Sequence, residues 1–333
     1  MSNAKYHHLI PQTYMDAWAN KSGTLRVRFF DDPNNDVFRN KARIAGSDQF
    51  YSIKAGMPIC TPEDAAFLFK PVSSFIVKLN GEVLDSPLRL NDCFVYFDDW
   101  EIYRADGSKV SKKGIKTKIE QSKILEIEEK WSTKYENRWN VVVNTIEKSV
   151  RLNSGSCIPE FEKSYLTEFY TALDWRGFTS NRCFEDAFSE LTKELPLDIE
   201  IPGSDRILPN LKTPAEEMRH YVLLKYYRQY LNECGVIYED AKLALARIGF
   251  HFLVAADNGS FVTSDTPAFT WEREDGKLVG VLPVTPKILL LKGSHSDDDG
   301  VYYVSRINDD IVEYWNDVIR SNASEFVVMP YNS

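Results

Sequence analysis

The alternation of hydrophobic and polar positions divides the chain into a β-rich beginning, a helical middle and a β-rich end. Short β-branched and aromatic runs bounded by turn residues predict strands over residues 1–110. The strongest hairpin signal there is Asn80-Gly81, which separates two such runs. Apolar residues three or four apart predict helices over residues 111–249. Strand patterns return over residues 250–333, with one late helix capped by Asn308.

Several elements have sharper signals. Thr61-Pro62-Glu63-Asp64 predicts the start of a short helix, because a hydroxyl cap precedes a proline and two acids. Thr213-Pro214-Ala215-Glu216 is a capping box for a helix that should end near Gly235. The apolar run Phe94–Phe97 predicts a strand. One stripe of large side chains predicts a single long helix: Ile124, Ile127, Trp131, Tyr135, Trp139, Val142 and Ile146.

The order of these elements predicts an α+β fold. The first and last segments both have strand patterns, so we expect them to share a mixed or antiparallel sheet, with the helical part inserted between them. We also expect residues 1–333 to form a single integrated domain, in which 1–110 is β-rich, 111–249 is helical and 250–333 is β-rich with one helix.

Composition excludes some classes of protein. Hydrophobic residues make up 43% of the chain, enough for a substantial core, which excludes a wholly disordered protein. The net charge of −9 argues against broad attraction to nucleic acid, although not against a local basic groove. Five cysteines without a CxxC motif predict neither a disulfide framework nor a zinc ribbon. Without a membrane-length apolar run or a signal peptide pattern, we expect a cytoplasmic protein that does not enter the membrane.

Adjacent histidines make the N-terminal segment chemically distinctive. Histidine titrates nearest neutrality, so His7 and His8 can act as a general base and its orienting partner, or as ligands of a divalent metal ion. In an extended segment the two rings point to opposite faces, so one of them would reach a given site. The structural alternative is an N-terminal plug anchored to the core by residues such as Tyr14 and Trp18.

A second candidate lies where a predicted strand ends in Ser264-Asp265-Thr266-Pro267. A strand tip can present the Ser264 hydroxyl and the Asp265 carboxylate to a cleft. The alternative is a turn in which Asp265 accepts hydrogen bonds from the backbone. A nucleophilic role for Ser264 has no support from a GxSxG or SxxK pattern.

Arginines near a predicted helix end are candidates for anion binding. The guanidinium groups of Arg176 and Arg182 can bind a carboxylate or phosphate with paired donors. They can equally form ion pairs with Asp174 or Glu185. Asn316, on the last helix, is a candidate substrate contact or a hydrogen-bonding link to the sheet.

A lysine-rich stretch precedes the long helix. Lys112, Lys113 and Lys116 lie within it and are candidates for contacts with a phosphate-bearing ligand or nucleic acid. A solvated charged face is the alternative, and the stretch lacks the interleaved aromatics of single-strand binders.

These pieces together resemble a known bacterial family, domain of unknown function 4238. The resemblance is carried by His-His-x-x-Pro-x-x-Tyr at residues 7–14, Gln49-Phe50-Tyr51, and the stretch from Arg176 to Arg182. Three later stretches complete it: Phe261 to Pro267, Pro283-Val284-Thr285-Pro286-Lys287, and Asn316 to Val328. The resemblance spans nearly the whole chain, which favours one domain, and it implies no particular reaction.

Two classes of function follow from these candidates. The first is a hydrolase of a phosphoester or nucleotide-type substrate, such as a nuclease, with or without a divalent metal ion. In it His7 or His8 is the base or a metal ligand, Asp265 is the orienter or a metal ligand, and Arg176 binds the anionic group. The second is a non-catalytic binding or sensing module in which the same residues are structural. A bacterial defence effector is a third idea, by analogy alone. The enzyme requires the three positions to share one pocket.

Overall fold

A computed structural model describes residues 6–153, 155–176, 181–256, 258–294 and 300–331. Its strands are β1 (Tyr6–His8), β2 (Thr24–Phe29), β3 (Asp36–Asn40), β4 (Gly46–Asp48), β5 (Ile76–Leu79), β6 (Glu82–Val83), β7 (Glu101–Tyr103), β8 (Cys157–Pro159), β9 (Ile248–Ala255), β10 (Thr263–Ser264), β11 (Phe269–Glu272), β12 (Leu278–Thr285), β13 (Ile288–Ser294), β14 (Val301–Ile307) and β15 (Phe326–Met329).

The α-helices are α1 (Gln12–Met15), α2 (Pro62–Leu68), α3 (Pro87–Asp92), α4 (Lys113–Gln121), α5 (Glu126–Trp131), α6 (Asn137–Leu152), α7 (Lys163–Trp175), α8 (Arg182–Thr192), α9 (Pro214–Leu231), α10 (Val236–Leu245) and α11 (Asp309–Asn322). Short 3₁₀ helices span Lys41–Arg43, Lys70–Val72 and Phe94–Asp99, and a π-helical turn spans Ser132–Glu136. Helices and strands together confirm the predicted α+β class. Among the described helices, none has the length and apolar character needed to cross a membrane.

The chain divides into two compact units. Unit 1 comprises Met1–Asp48, Trp131–Leu195 and Gln229–Ser333, and unit 2 comprises Gln49–Lys130 and Pro196–Arg228. We describe each unit by itself, and the expectation of a single integrated domain stays a prediction.

Unit 1 contains the sheet that joins the two ends of the chain. Its strand order is β10-β15-β2-β3, and β15 pairs antiparallel with β2, Phe326 opposite Phe29. The predicted sharing of a sheet by the terminal segments is therefore confirmed. A larger sheet of order β11-β12-β13-β9-β14-β8 is mixed, because β14 runs parallel to β9 while the other pairs are antiparallel.

The core of unit 1 lies between this mixed sheet and α11. Asn308 caps α11 as predicted, since its side chain accepts a hydrogen bond from the backbone N–H of Ile311 at 3.1 Å. Trp315 and Ile319, one turn apart on α11, are buried in a cluster with residues of β9, β12 and β13. Burial of each large side chain contributes about 1.5–3 kcal/mol.

Helices α6 and α7 pack together through aromatic rings in the same unit. The rings of Trp139 and Phe169 stack with 4.2 Å between centroids.

The predicted single long helix is interrupted: α5 begins at Glu126, the π-helical turn follows, and α6 begins at Asn137. Six of the seven predicted stripe residues are buried, whereas Ile124 precedes the helix and pairs with Ile53 in an isolated bridge.

Unit 2 has a three-stranded sheet of order β6-β5-β7. Asn80 and Gly81 both have positive φ, as the predicted hairpin turn requires. The predicted capping box of α2 is present, with Asp64 N–H donating to the Thr61 hydroxyl at 3.2 Å. The predicted strand at Phe94–Phe97 is wrong: this run is 3₁₀-helical, and Phe94, Phe97 and Trp100 pack together at a spacing of three.

Candidate functional site

The two adjacent histidines occupy the short strand β1, which pairs antiparallel with β4. His7 is fully buried, and His8 is partly buried. Gly46 lies opposite His8, and a Cβ there would come within 2.6 Å of the Tyr6 ring, so the pairing depends on glycine. The structure thus fixes the N-terminal segment to unit 1 by regular strand pairing.

Hydrogen bonds also hold the segment that follows β1. The Tyr14 hydroxyl lies 2.8 Å from the Thr263 hydroxyl and donates to the carbonyl of Pro283 at 2.7 Å. Trp18 donates from Nε1 to the carbonyl of Phe261 at 3.0 Å. These contacts are those expected of the structural alternative, an N-terminal plug anchored in the core.

His8 and Arg176 do come together. Arg176 follows α7 and donates from Nη2 to the backbone carbonyl of His8 at 2.7 Å. Its Nη1 donates to Oε1 of Glu136 at 2.8 Å, and its guanidinium lies 4.7 Å from the centroid of the Trp131 ring. The side chain is 1% exposed, so the donors of Arg176 face protein groups.

The surroundings of the His8 imidazole favour its neutral form. Burial lowers its pKa, and the Arg176 charge lowers it further against the opposing effect of Glu136. Its Nε2 lies 2.8 Å from Nε2 of Gln12, four residues later. A neutral ring that accepts a hydrogen bond is chemically able to act as a base.

Asp265 has a different set of partners. Its two carboxylate oxygens accept hydrogen bonds from the backbone N–H groups of Ser324 at 2.9 Å and Glu325 at 2.6 Å. Burial raises the pKa of this carboxyl group, and the two N–H groups oppose that rise. Ser264 exchanges hydrogen bonds with the backbone of Thr266. In the part of the chain that the structure describes, no direct contact joins Asp265 to His8 or Arg176.

The remaining candidates are dispersed. Asn316 is buried and links α11 to the loop that precedes β10. It accepts a hydrogen bond from the Val262 N–H at 2.9 Å and donates to the Ser260 carbonyl at 3.0 Å. Arg182 is exposed in the first turn of α8. These positions fit a hydrogen-bonding link and a surface arginine.

The three candidate lysines belong to unit 2. Lys112 donates to the Asp98 carbonyl, and Lys116 pairs with the Asp98 carboxylate at 2.9 Å. Lys113 is exposed at the start of α4. Two of the three amines therefore already have acceptors within unit 2.

A groove in unit 1 carries charges that sequence reasoning missed. Its first chamber has a volume of about 510 Å³ and is bordered by one side of α6 and the ends of β9, β13 and β14. Four cationic side chains line it, Lys148, Arg151, Lys287 and Arg306, together with the carboxylate of Glu147. We call this the basic groove.

A second chamber continues the basic groove, because Asn144, Glu147 and Lys287 line both. It has a volume of about 520 Å³. Its other lining residues are Thr13, Asp16, Ala17, Trp139, Asn140, Val143, Thr285 and Pro286. Two stretches that carry the family resemblance, residues 7–14 and Pro283 to Lys287, therefore contribute residues to this chamber. These two motifs are the sequence signal that could have indicated the position of the second chamber.

A buried acid–lysine pair is a further feature that the sequence did not reveal. Burial raises the pKa of Asp174 to about 6 and lowers that of Lys292, while each charge partly offsets the effect on the other. Asn181 donates to Asp174 at 2.6 Å, and the Lys292 amine lies 4.0 Å from the centroid of the Tyr170 ring. Among the described residues, no group of three or more His, Cys, Asp or Glu side chains is placed to hold a metal ion.

Comparison with known proteins agrees with the resemblance noted from the motifs. The model of the family "Protein of unknown function (DUF4238)" matches residues 6–330. The chain belongs to the DUF4238 family. No curated protein and no solved structure matches it. The plug, the Arg176 cluster and both chambers of the basic groove all lie inside the part of the chain that the DUF4238 model covers.

Proposed function

We propose that this DUF4238 protein is a non-catalytic binding or sensing module, and that it binds a phosphate-bearing ligand in the basic groove. One observation carries the proposal: four cations and one carboxylate line the first chamber, although the chain as a whole has a net charge of −9. A local positive field on an acidic protein concentrates anions at that place. Arginine and lysine are the side chains that bind phosphate oxygens.

Two of the cations are held in place by the protein. Arg306 donates from Nη2 to the carbonyls of Val150 and Asn153, both at 3.2 Å, at the end of α6. Lys287 donates to the carbonyl of Gly259 at 2.6 Å. Side chains that are already ordered lose less conformational entropy when a ligand binds. Among the described residues, the Nη1 and Nε groups of Arg306 have no acceptor, so they can bind an anion.

The other two cations lie one turn apart on α6. Lys148 and Arg151 are exposed, and neither forms an ion pair with any residue in the described ranges. Removing their charges therefore breaks no ion pair or side-chain hydrogen bond among the described residues. A variant that lacks both charges should therefore fold normally, so a loss of binding can be attributed to the loss of the two charges.

A hydrolase of a phosphoester or nucleotide substrate is the second proposal, and the partly buried imidazole of His8, whose Nε2 lies 2.8 Å from the Gln12 amide and whose pKa is lowered by burial, is the observation that favours it. The other two members of its residue set have protein partners: Arg176 binds Glu136 and the His8 carbonyl, and Asp265 binds two backbone N–H groups. The contacts of the described residues thus favour the binding module. A nuclease activity, a bacterial defence role and a cytoplasmic location stay predictions from the sequence.

The test is titration calorimetry with pyrophosphate at low ionic strength, where charge interactions are least screened. We expect the wild-type protein to bind and the Lys148→Gln/Arg151→Gln variant to bind at least tenfold more weakly. Lys225→Gln, an exposed helical lysine in unit 2, is the matched control and should leave the affinity unchanged. Weaker binding by Lys113→Gln, with no effect of the groove variant, would move the anion site to the lysine-rich stretch and overturn the proposal.

Phosphate release from a mixture of nucleoside phosphates decides between the two functions. A non-catalytic module releases none at any protein concentration. Release that is lost in His8→Gln, while the midpoint of urea unfolding is unchanged, would establish the hydrolase instead.

A further inference from the structure

The second chamber of the basic groove differs chemically from the first. It has one cation, Lys287, and two carboxylates, Asp16 and Glu147, against four cations and one carboxylate in the first chamber. The rest of its lining is uncharged, with amides and hydroxyls (Thr13, Asn140, Asn144 and Thr285) beside apolar side chains (Ala17, Trp139, Val143 and Pro286). A carboxylate repels a second phosphate and accepts hydrogen bonds from hydroxyl groups. The groove thus favours a ligand with an anionic end and an uncharged end rich in hydroxyls.

Polar groups in this chamber have hydrogen-bonding capacity to spare. The Thr13 hydroxyl is buried and has no hydrogen-bond partner among the described residues. Thr285 accepts from the Lys287 N–H at 3.2 Å, which leaves its own O–H to donate. Asp16 pairs with Lys41 through one oxygen, so the other can accept a hydrogen bond. A buried hydroxyl without a partner costs about 1–3 kcal/mol, which a bound ligand can recover.

One face of α6 contributes polar residues to both chambers. Asn140, Asn144, Lys148 and Arg151 follow one another at intervals of three or four, so they form a single stripe. Asn144 and Lys148 are one turn apart, about 6 Å along the helix axis. That separation is comparable with the length of one pentose ring between its phosphate and its far hydroxyls.

We propose that the ligand of the basic groove is a phosphorylated pentose, either free or as the sugar phosphate of a mononucleotide. The inference rests on the proposed binding function and adds the chemical class of the ligand. The phosphate lies in the first chamber near Lys148, Arg151 and Arg306. The pentose hydroxyls lie in the second, near Thr13, Asn140 and Asn144. Each chamber has the volume of a small-molecule site, about 300–1,000 Å³.

The experiment compares four compounds by titration calorimetry at low ionic strength: inorganic phosphate, ribose 5-phosphate, adenosine 5′-monophosphate and adenosine. We expect ribose 5-phosphate or the mononucleotide to bind at least tenfold more tightly than inorganic phosphate, and adenosine to bind much more weakly. Tighter binding of the mononucleotide identifies a nucleotide as the source of the pentose phosphate. Equal or tighter binding of ribose 5-phosphate identifies a free sugar phosphate.

Variants of the second chamber separate this inference from the proposed function. Thr13→Val/Asn140→Ala changes two residues that line only the second chamber, so it should leave the affinity for inorganic phosphate unchanged and reduce the advantage of ribose 5-phosphate at least fivefold. Thr145→Val is the matched control, because its hydroxyl binds the Val141 carbonyl within α6, away from the groove lining. Equal affinities for phosphate and the pentose phosphates in the wild-type protein would overturn the inference and leave the proposed function standing. Absence of any phosphate binding would overturn the proposed function itself.

Discussion

The buried guanidinium of Arg176 and the partly buried carboxylate of Glu136 form an ion pair, with 2.8 Å between Nη1 and Oε1. The same guanidinium donates to the His8 carbonyl and lies over the Trp131 ring. Arg176 therefore connects the end of α7 to β1 and to the π-helical turn. π-helical turns often occur at functional positions, and this one places Glu136 against the arginine.

Replacing Arg176 with methionine should strongly destabilise the protein. The change leaves the partly buried Glu136 carboxylate without its partner and the His8 carbonyl without its donor, which costs about 3 kcal/mol in the free energy of unfolding, the lower end of the range for buried pairs. Urea unfolding measures this cost. Arg182→Met, an exposed arginine on α8, is the control and should change stability by less than about 0.5 kcal/mol. An Arg176→Met protein as stable as the wild type would show that the ion pair is not structural.

Asp265→Asn should reduce stability without affecting anion binding. An asparagine amide keeps one acceptor oxygen, but its NH₂ group would face a backbone N–H of Ser324 or Glu325, both of which are donors. We expect a loss of about 1–3 kcal/mol in the free energy of unfolding, measured with urea. Ser264→Ala, beside it, is the comparison and should cost about 1 kcal/mol. A stable Asp265→Asn protein that has lost a measured activity would instead support the catalytic interpretation.

Local signals in the sequence predicted local structure well. The Asn80-Gly81 turn and the Asn308 cap depend on residues within a few positions, and both are present. The run Phe94–Phe97 was predicted wrongly because a short apolar run does not distinguish a strand from a buried helix. Phe94, Phe97 and Trp100 are three residues apart, but this period of three extends beyond the run and becomes visible only when Trp100 is included.

The cationic lining of the basic groove could not be predicted from the sequence, for a different reason. Lys148 and Arg306 are 158 residues apart, and each is an ordinary charged residue in its own segment. Only the pairing of β14 with β9, next to α6, places both at one cavity. Asp265 and Asn316 were predicted as site residues from their motifs. In the structure both form hydrogen bonds that join α11 or the segment after it to the loop and strand at residues 260–265.

His220 should make stability depend on pH below neutrality. It is buried without a hydrogen-bond partner for either ring nitrogen among the described residues, and its ring contacts Phe50 with 4.7 Å between centroids. Burial, together with the charges of Arg219 and Lys54, lowers its pKa to about 3. The unfolded chain, with a histidine pKa of about 6.5, binds more protons, so stability falls as the pH drops from about 7 towards 3.

Replacement of His220 with phenylalanine tests this pH dependence. Phenylalanine does not titrate, so the difference in the free energy of unfolding between variant and wild type should change by up to about 1.4 kcal/mol per pH unit below 6.5. Urea unfolding at several pH values between 4 and 8 measures it, and acidic groups common to both proteins cancel in the difference. Parallel stability curves over the whole range would contradict the prediction.

Asp174 should have the opposite effect, because its pKa in the folded protein lies above that of an unfolded aspartate. Burial raises the pKa to about 6, while the hydrogen bond from Asn181 and the charge of Lys292 oppose the rise. The native state binds more protons than the unfolded state between pH 4 and 6, so this group's contribution to stability falls as the pH rises through that window.

Asp174→Asn removes the titration, so its free energy of unfolding should rise relative to that of the wild type by up to about 3 kcal/mol between pH 4 and 7. Lys292→Met removes the cation that lowers the pKa, so the fall in stability should extend to higher pH. Urea unfolding of the three proteins at pH 4.5, 5.5, 6.5 and 7.5 measures both effects, and a constant difference between Asp174→Asn and wild type at every pH would refute the raised pKa.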